Sequence, residues 1–178
     1  RLPNLPLRAM PEIRPEQPDD ADGIRALNRA AFEGDAEAKL VDLLRERGRN
    51  VVSLVAVEDG QVVGQVLFTD VTVTPPVRFK GIGLAPLAVL PSFQNRGIGT
   101  ELGHKGLALC RDLGYDFAVV LGHTEYYPRF GFKKASDFGI GNDYNVDDPF
   151  MALEFKPGVL GTFRGVAHYA PEFAETGS

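Results

Sequence analysis

One stretch of this chain constrains its fold more than any other: an apolar run that ends at a proline and leads through a glycine-rich turn into a helix. Residues 84–90 are apolar and predict a buried strand, which Pro91 ends because proline has no N–H to donate to a sheet. After a polar loop, Gly97 and Gly99 begin a helix whose apolar residues recur at helical spacing. The residues of this helix that we expect to be buried are Ile98, Leu102, Leu109 and Leu113.

The first turn of this helix has the features of an anion-binding site. Its N–H groups have no partner within the helix, and the aligned peptide dipoles place positive charge there. Gly97 and Gly99 lack Cβ atoms, so a phosphate can approach the backbone, and Arg96 adds a cation. The arrangement favours a phosphate or pyrophosphate ligand, although glycines at the start of a helix also serve close packing.

Two well-known phosphate-binding loops are excluded by their spacing. The string Gly-x-x-x-x-Gly-Lys-Ser/Thr does not occur in the chain. The dinucleotide-binding fingerprint requires a third glycine three residues after the second, and Leu102 occupies that position. What remains is Gln94-x-x-Gly97-x-Gly99, directly after a strand that ends at a proline.

This string resembles motif A of the GNAT superfamily of N-acetyltransferases. A second resemblance follows one helix and one strand later, where residues 119–123 lead into Tyr126-Tyr127-Pro128-Arg129-Phe130-Gly131-Phe132. A tyrosine four residues before a Gly-Phe pair is similar to the family's acyl-CoA thiol region, and the ending resembles the YhbS-type bacterial branch. The two motifs come in the order that the family requires, so the pair is more specific than either string alone.

The resemblance covers about residues 11–156 and implies an α+β fold. That fold is a mixed, mostly antiparallel central sheet with helices on both faces and one splayed parallel strand pair. We expect a flexible arm at 1–10, the acetyltransferase domain at 11–156, and a C-terminal strand and tail at 157–178 that pack on the same domain. Asp20 and Asp35 are the expected caps of the first two helices, and an Asp-Gly pair predicts a hairpin. The expected strands are 12–14, 51–57, 61–73, 84–90, 117–121, 150–155 and 162–169, with 133–149 as loop and 171–178 as tail.

Acetyl-CoA is the cofactor that the resemblance implies. Its pyrophosphate is expected at the turn 94–100, and its pantetheine arm along 87–89, in a gap that opens where the two parallel strands end at Pro91 and Gly122. The residues expected to contact the cofactor are Leu87, Ala88, Val89, Gln94, Asn95, Arg96, Gly97, Ile98, Gly99, Thr100, Tyr126 and Arg129.

The resemblance also implies the chemistry, in which an amine attacks the thioester directly. The N–H of Val89 or a neighbouring residue is expected to stabilise the oxyanion that forms. Tyr127 matches the position of the family's tyrosine and is the expected catalytic residue. Because a phenol has a pKa of about 10 and a thiol about 8.5, its hydroxyl can donate a hydrogen bond or a proton to the departing thiolate. The alternative for Tyr127 is an aromatic core residue with a satisfied hydroxyl.

No general base is evident from the sequence. Some family members carry a glutamate on the strand before motif A, but residues 84–90 contain no carboxylate. The family commonly builds its acceptor site at the junction of the first two helices, where Glu33, Asp35 and Glu37 lie, although the simpler interpretation of each is a cap or a surface charge. A water chain to a carboxylate elsewhere, or His123 after the second parallel strand, are the other options.

Composition limits the remaining classes of function. The 178 residues carry a net charge of −5, which argues against nucleic-acid binding because backbone recognition needs a basic face. No apolar run is long enough to span a membrane. The single cysteine, Cys110, cannot form an internal disulfide and is expected to be a buried structural residue, so a cytoplasmic location is expected. The histidines and Cys110 lack metal-ligand spacing, and no metal is expected.

The expected partner is a small-molecule or peptide amine, with no nucleic acid and no membrane. A homodimer through the late strands is one option for assembly. Two other functions remain open. One is an acyl-CoA-binding sensor or regulatory module without turnover, and the other is a phosphate-binding protein or hydrolase of unrelated chemistry. Thiol release with a panel of amines separates an enzyme from a sensor, and protection by phosphate instead of CoA would indicate the third function.

Overall fold

Residues 9–177 are described by a computed structural model, in which the expected helices and strands all appear in the expected order. The helices are α1 (Ala21–Ala31), α2 (Ala36–Glu46), α3 (Ile98–Asp112) and α4 (Glu172–Glu175). The strands are β1 (Glu12–Pro15), β2 (Asn50–Glu58), β3 (Gln61–Thr74), β4 (Gly81–Val89), β5 (Phe117–Leu121), β6 (Lys133–Lys134), β7 (Ile140–Asn142), β8 (Phe150–Glu154) and β9 (Gly165–His168). Of the expected arm at 1–10, residues 1–8 lie outside the described residues, and Ala9 and Met10 are exposed.

The strands form one mixed sheet whose main path is β1-β2-β3-β4-β5-β8-β6. Neighbours on this path are antiparallel except β4 and β5, which run parallel with α3 as the crossover between them. Outside it, β9 pairs with the end of β3 and, in parallel, with β7. This is the predicted α+β architecture. Because β9 has a strand partner on either side within residues 9–177, a second copy could add to it only by displacing one of them.

The turn between β2 and β3 shows how local sequence sets the register of the sheet. Asp59 and Gly60 have φ angles of 49° and 76°, the left-handed conformation that a two-residue type I′ turn requires. The flanking residues Glu58 and Gln61 pair directly. The predicted Asp-Gly hairpin is therefore confirmed, and it decides which residues of β3 face each layer of helices.

Consecutive residues of β3 face opposite layers, as the alternation of side chains along a strand requires. Leu67 packs in one buried cluster with Ile24 of α1 and Leu44 of α2. Val66 and Phe68 are buried on the other face, in the cluster that contains the apolar residues of α3. Because helices cover both faces, the middle of β3 lacks the apolar–polar alternation of a half-buried strand.

The buried face of α3 differs from the predicted one. Leu109 and Leu113 are 40% and 55% exposed, so the prediction is wrong for these two residues. A Cβ atom on Gly106 would lie 2.3 Å from the ring of Phe68, so this glycine makes room for an aromatic ring of the sheet. A pattern that counts only apolar side chains misses such a face. The buried residues of α3 are Ile98, Leu102, Gly103, Gly106, Leu107 and Cys110.

The two predicted helix caps use their carboxylates differently, and neither side chain caps its own helix. Before α1, the carboxylate of Asp20 accepts hydrogen bonds from Arg14 at 2.7 Å and from the backbone N–H of Gln17 at 2.7 Å. The hydrogen bond from Arg14 holds the pKa of Asp20 below its usual value. Before α2, Asp35 accepts from Arg29 at 3.1 Å. Both residues have helical backbone angles instead of the extended ones that are typical of a capping residue.

The C-terminal part of the chain contains more secondary structure than its composition indicates. Segment 133–149, predicted as loop, contains β6 and β7, and segment 171–178, predicted as tail, contains α4. Phe173 is buried in the cluster beneath α1 and α2, and the buried carboxylate of Glu172 accepts a hydrogen bond from Arg49 at 2.9 Å. Arg47 also pairs with Glu175 at 2.8 Å, so an apolar ring and several ion pairs hold this end of the chain in place.

The close contact between α3 and the sheet gives a stability prediction. Replacing Gly106 by alanine should lower the free energy of unfolding by about 1–2 kcal/mol, because overpacking costs about 1–3 kcal/mol and the better helix propensity of alanine returns up to about 1 kcal/mol. Chemical denaturation measures the change.

The control for this prediction is a double-mutant cycle with Phe68→Leu. In that background the ring edge is gone, so the added cost of Gly106→Ala should largely disappear. An equal loss of stability in both backgrounds would show that the ring contact is not the cause.

Candidate active site

β5 pairs with β4 over nearly all its length, but β4 pairs with β5 only over its first half. The last parallel pair is Leu84 with Val120. At this point Leu67 of β3 faces both Ala85 and Pro86, so β4 contains a β-bulge. A bulge bends its strand, and a proline is tolerated there because it has no N–H to leave unpaired. The divergence of the two strands therefore begins at the bulge, earlier than the strand ends at which the sequence places it.

Two adjoining cavities occupy the space between the diverging strands. The larger has a volume of about 610 Å³, and the smaller about 300 Å³. Leu87, His123 and Tyr127 line both, so the cavities meet at these residues. The larger cavity is otherwise lined by Val89, Phe93, Gln94, Asn95, Gly97, Ile98, Gly99, Thr100, Tyr126 and Arg129. The smaller is otherwise lined by Phe32, Glu37, Leu40, Leu84, Ala85, Pro86, Leu121, Gly122, Tyr144, Tyr169 and Phe173.

The turn into α3 presents free backbone amides to the larger cavity. Within residues 9–177, the first N–H of this turn to find a backbone acceptor is that of Glu101, which donates to the carbonyl of Gly97 at 3.0 Å. The preceding N–H groups, from Asn95 to Thr100, have none. Gly97 has a φ of 82°, and a Cβ atom there would meet nothing closer than a methyl carbon of Met10 at 3.9 Å. The turn is therefore open to an anion and is not covered by its own side chains.

The second half of β4 turns an unpaired edge toward the same space. The N–H of Leu90 donates to the carbonyl of Val63 in β3 at 2.9 Å. Because backbone groups alternate in direction along a strand, the N–H groups of Leu87 and Val89 point the other way, into the gap. The carbonyl of Val89 accepts a hydrogen bond from the Gln94 side chain at 3.1 Å, which agrees with this direction.

Arg129 supplies the positive charge of the larger cavity. Its Nε donates to the carbonyl of Tyr126 at 2.7 Å and its Nη1 to the hydroxyl of Thr100 at 3.3 Å. Its guanidinium carbon lies 3.9 Å from the centre of the Tyr126 ring. These contacts hold the cation beside the first turn of α3, although Arg129 lies 29 residues away from that turn in sequence.

Two of the residues expected to contact a cofactor lie outside the lining of either cavity. Arg96 stacks on the ring of Phe93 at 4.8 Å. Ala88 is buried and packs with the residues of α1 and α2 on the far face of the sheet, because its side chain points away from that of Leu87. Phe93 lines the larger cavity and is missed by the sequence analysis, since nothing in a single loop phenylalanine indicates a ligand.

Tyr127 combines a buried ring with a free hydroxyl. It is 9% exposed, and its ring covers Gly122, where a Cβ atom would lie 2.2 Å from it. Burial, with a smaller contribution from Tyr126, raises the pKa of Tyr127 to about 12. Within the described chain its hydroxyl makes no hydrogen bond, so the alternative of a core tyrosine with a satisfied hydroxyl does not apply. The hydroxyl is neutral at physiological pH and available to a ligand.

The carboxylates at the junction of α1 and α2 differ in their access to the cavities. Glu33 and Asp35 are exposed, and Asp35 is paired with Arg29 at 3.1 Å. Glu37 lines the smaller cavity, and its Oε2 atom is buried without a hydrogen-bond partner among residues 9–177. His123 is exposed and lines both cavities. Glu37 and His123 are therefore the two base candidates from the sequence that reach the site.

Other candidate chemistry is not supported by the described part of the chain. Cys110 is buried, and burial raises the pKa of its thiol to about 12, which leaves it inert as a nucleophile. Between residues 9 and 177 no group of three or more His, Cys, Asp or Glu side chains is placed to hold a metal ion. None of the helices in that span has both the length and the apolar character needed to cross a bilayer.

A sheet with one splayed parallel pair, and a helix start with free amides beside the gap, are the features that the resemblance to the acetyltransferases implies. A family model described as an acetyltransferase (GNAT) domain matches residues 12–135. N-acetyltransferase YhbS of Escherichia coli strain K12 is 46% identical over 163 residues, which cover 90% of this chain and 97% of YhbS. The chain therefore belongs to the GNAT family, and the predicted acyltransferase activity is confirmed at the level of the family.

Two solved structures share this fold. That of Escherichia coli YhbS in complex with CoA matches with a TM-score of 0.89, at 37% identity over 93% of each chain. That of a GNAT family acetyltransferase from Brucella melitensis, in complex with acetyl-CoA, matches with a TM-score of 0.76, at 36% identity over 91% of this chain and 97% of the other. The prediction of acetyl-CoA as the acetyl donor of the family is confirmed by these complexes.

The state of the Tyr127 hydroxyl can be measured directly. With tyrosine labelled at ¹³Cζ, the five tyrosines should give five signals, and the one that disappears in Tyr127→Phe belongs to Tyr127. We expect this signal not to move below pH 11, because burial raises the pKa of Tyr127 to about 12. Titration near pH 10, the usual value for a phenol, would contradict the buried position of the ring.

Proposed function

We propose that this protein transfers the acetyl group of acetyl-CoA to a primary amine by direct attack, with the cofactor in the larger cavity and the amine in the smaller one. The observation that carries the proposal is that the two cavities meet at the unpaired edge of β4 and at the free hydroxyl of Tyr127. The cofactor contributes a thioester, which gives the reaction its electrophilic carbonyl carbon and its thiolate leaving group. Groups of this chain bind the cofactor, stabilise the oxyanion and supply a proton to the departing sulfur.

The turn into α3 is suited to the pyrophosphate of the cofactor. Free N–H groups from Asn95 to Thr100 supply donors, and the start of the helix supplies positive potential. Arg129 adds a cation that is already held in place by Thr100 and Tyr126. Arg96, which the sequence suggests for this role, is stacked on Phe93 outside the cavity. We therefore assign the side-chain contribution to Arg129.

The unpaired edge of β4 is suited to the amides of the pantetheine arm and to the reacting carbonyl. The N–H groups of Leu87 and Val89 both face the gap, and amides of an extended chain can pair with them as a neighbouring strand would. Leu87 lies where the cavities meet, whereas Val89 lines the larger cavity alone. We assign the Leu87 N–H to the carbonyl oxygen, where it stabilises the negative charge that develops during attack.

Tyr127 is assigned to the departing sulfur. Because its pKa is about 12 and that of a thiol is about 8.5, complete transfer of its proton to the thiolate is unfavourable unless another proton replaces it. The ammonium first loses one proton to solvent, the nitrogen lone pair forms the C–N bond, and the C–S bond breaks. The hydroxyl proton of Tyr127 passes to sulfur, and the second nitrogen proton returns to the Tyr127 oxygen.

The sensor without turnover is less consistent with the site. A module that only binds the cofactor has no need of a second cavity at its reactive end, or of a buried tyrosine whose hydroxyl makes no bond within the described chain. Thiol release from acetyl-CoA in the presence of a panel of primary amines tests the proposal. CoA binding without amine-dependent release across the panel would favour the sensor.

Charge at the turn into α3 gives the second functional prediction. Gly97→Asp should weaken CoA binding by about tenfold or more relative to Gly97→Asn, because a carboxylate repels the pyrophosphate at the same position. Asparagine is the matched control, since it has the same size and tolerates a φ of 82° about as well as aspartate does. Isothermal titration calorimetry measures both constants. Equal dissociation constants for the two variants would remove the pyrophosphate from this turn.

The third functional prediction concerns removal of the Tyr127 hydroxyl. Tyr127→Phe should lower kcat by about 100-fold and change the dissociation constant of CoA by less than about twofold, because the ring still fills its site. Full activity would exclude Tyr127 from the reaction, whereas an equal loss of CoA binding would make it a binding residue only.

A further inference from the structure

The smaller cavity combines an apolar wall with a single charged group. Its wall is built from aromatic rings, which include Phe32 and Phe173, and from aliphatic side chains that include Leu40 and Leu84. Glu37 is the one carboxylate in this lining, and no lysine or arginine of the described chain contributes to it. A ligand in this cavity therefore meets one negative charge and no competing cation.

Glu37 has no internal partner that would explain its position. Its Oε2 atom is buried and accepts no hydrogen bond within residues 9–177, although a buried acceptor is normally satisfied. The arginines of the neighbouring helices are engaged elsewhere, with Arg25 paired to Asp42 at 2.8 Å and Arg29 to Asp35 at 3.1 Å. The missing partner of Glu37 is a donor from outside the described residues.

A second polar group in the same wall is the buried hydroxyl of Tyr169, which lies beside the backbone of Leu121. Within the described residues, Glu37 is therefore the charged group of this wall that keeps a buried oxygen unpaired. A buried acceptor without a partner costs stability unless a ligand satisfies it, so the cavity is suited to a ligand with an ionic end and an apolar body.

We propose that the acceptor is a small, singly charged primary amine that carries an aromatic or other apolar group, and that Glu37 binds its ammonium group in the smaller cavity. This inference rests on the proposed function, because it identifies the substrate class of that same site. The ammonium forms a charge-assisted hydrogen bond with the buried oxygen of Glu37, and the apolar body lies against Phe32 and Phe173. The ammonium then loses one proton to solvent, as in the proposed reaction, and the lone pair of the neutral amine attacks the thioester where the cavity meets Leu87 and Tyr127.

The volume of the cavity limits the size of the amine. One water molecule takes about 30 Å³ in the liquid, so a cavity of about 300 Å³ accepts on the order of ten non-hydrogen atoms. An arylethylamine has this size. Polyamines and aminosugars carry several positive charges, for which this cavity has a single carboxylate. An amino acid brings its own carboxylate close to Glu37, which disfavours it by like-charge repulsion.

The test compares three acceptors with the full-length protein and acetyl-CoA. They are phenethylamine, phenylalanine, which adds a carboxylate to the same body, and spermidine, which replaces the aromatic body by further charges. Thiol release is measured for the wild type, for Glu37→Gln and for the matched control Glu33→Gln, which makes the same change at an exposed position outside both cavities. Glu37→Asp, which keeps the charge, is the conservative variant.

We expect phenethylamine to have the highest kcat/KM of the three acceptors. Glu37→Gln should raise its KM by about 10- to 100-fold, the usual range for one charge-assisted hydrogen bond, and leave the KM of acetyl-CoA unchanged. Glu33→Gln should behave as the wild type, and Glu37→Asp should recover part of the loss. A merely structural role for Glu37 would instead change both KM values or the melting temperature.

The other outcomes separate this inference from the proposed function. Turnover that prefers spermidine or phenylalanine, or a phenethylamine KM that Glu37→Gln leaves unchanged, overturns the inference and leaves the acetyltransferase intact. Turnover of other amines but of none of these three also overturns the inference alone. CoA binding without turnover of these three amines and of every amine in a wider panel overturns both.

Discussion

The loss of pairing between β4 and β5 is the constraint on which the rest of the structure depends. Backbone N–H and C=O groups in a protein interior are almost always paired, so two central strands that separate need both a cause and a use. The cause is the bulge at Ala85 and Pro86, which bends β4 after its last pair with β5. The use is an edge whose N–H groups at Leu87 and Val89 face a cavity and can pair with an extended ligand.

Much of this arrangement can be predicted from sequence because its signals are local. A proline that ends an apolar run, and glycines that begin a helix, act within a few residues, and their order predicts the strand, the turn and the crossover. The face of α3 shows where such reasoning fails. Gly106 is buried because a ring from β3 fills the space beside it, and Leu109 is exposed although it is apolar. The packing partner decides burial, and no pattern along the helix contains it.

The site also has features that the sequence predicts and features that it does not. The turn from Asn95 to Thr100 can be predicted from sequence because its unpaired donors belong to the backbone. Both Arg96 and Arg129 are expected there from sequence, but only Arg129 lies beside the turn, which it reaches through the fold, whereas Arg96 stacks on Phe93. Sequence also leaves several carboxylates near the first two helices equivalent. They become distinguishable only because one oxygen of Glu37 is enclosed by side chains from distant segments.

The ring of Phe130 has a consequence for the length of molecule that the protein can use. It lies where a Cβ atom on Gly103 of α3 would come within 2.4 Å of it, and it also contacts the rings of Tyr126 and Tyr127 at 5.7 and 6.2 Å between centres. The helix that begins at Ile98 and the segment that carries Tyr127 are thus packed against each other through this ring. Under the proposed function, this packing sets the span from diphosphate to sulfur, and a carrier with a shorter or longer arm would present its acyl group out of reach.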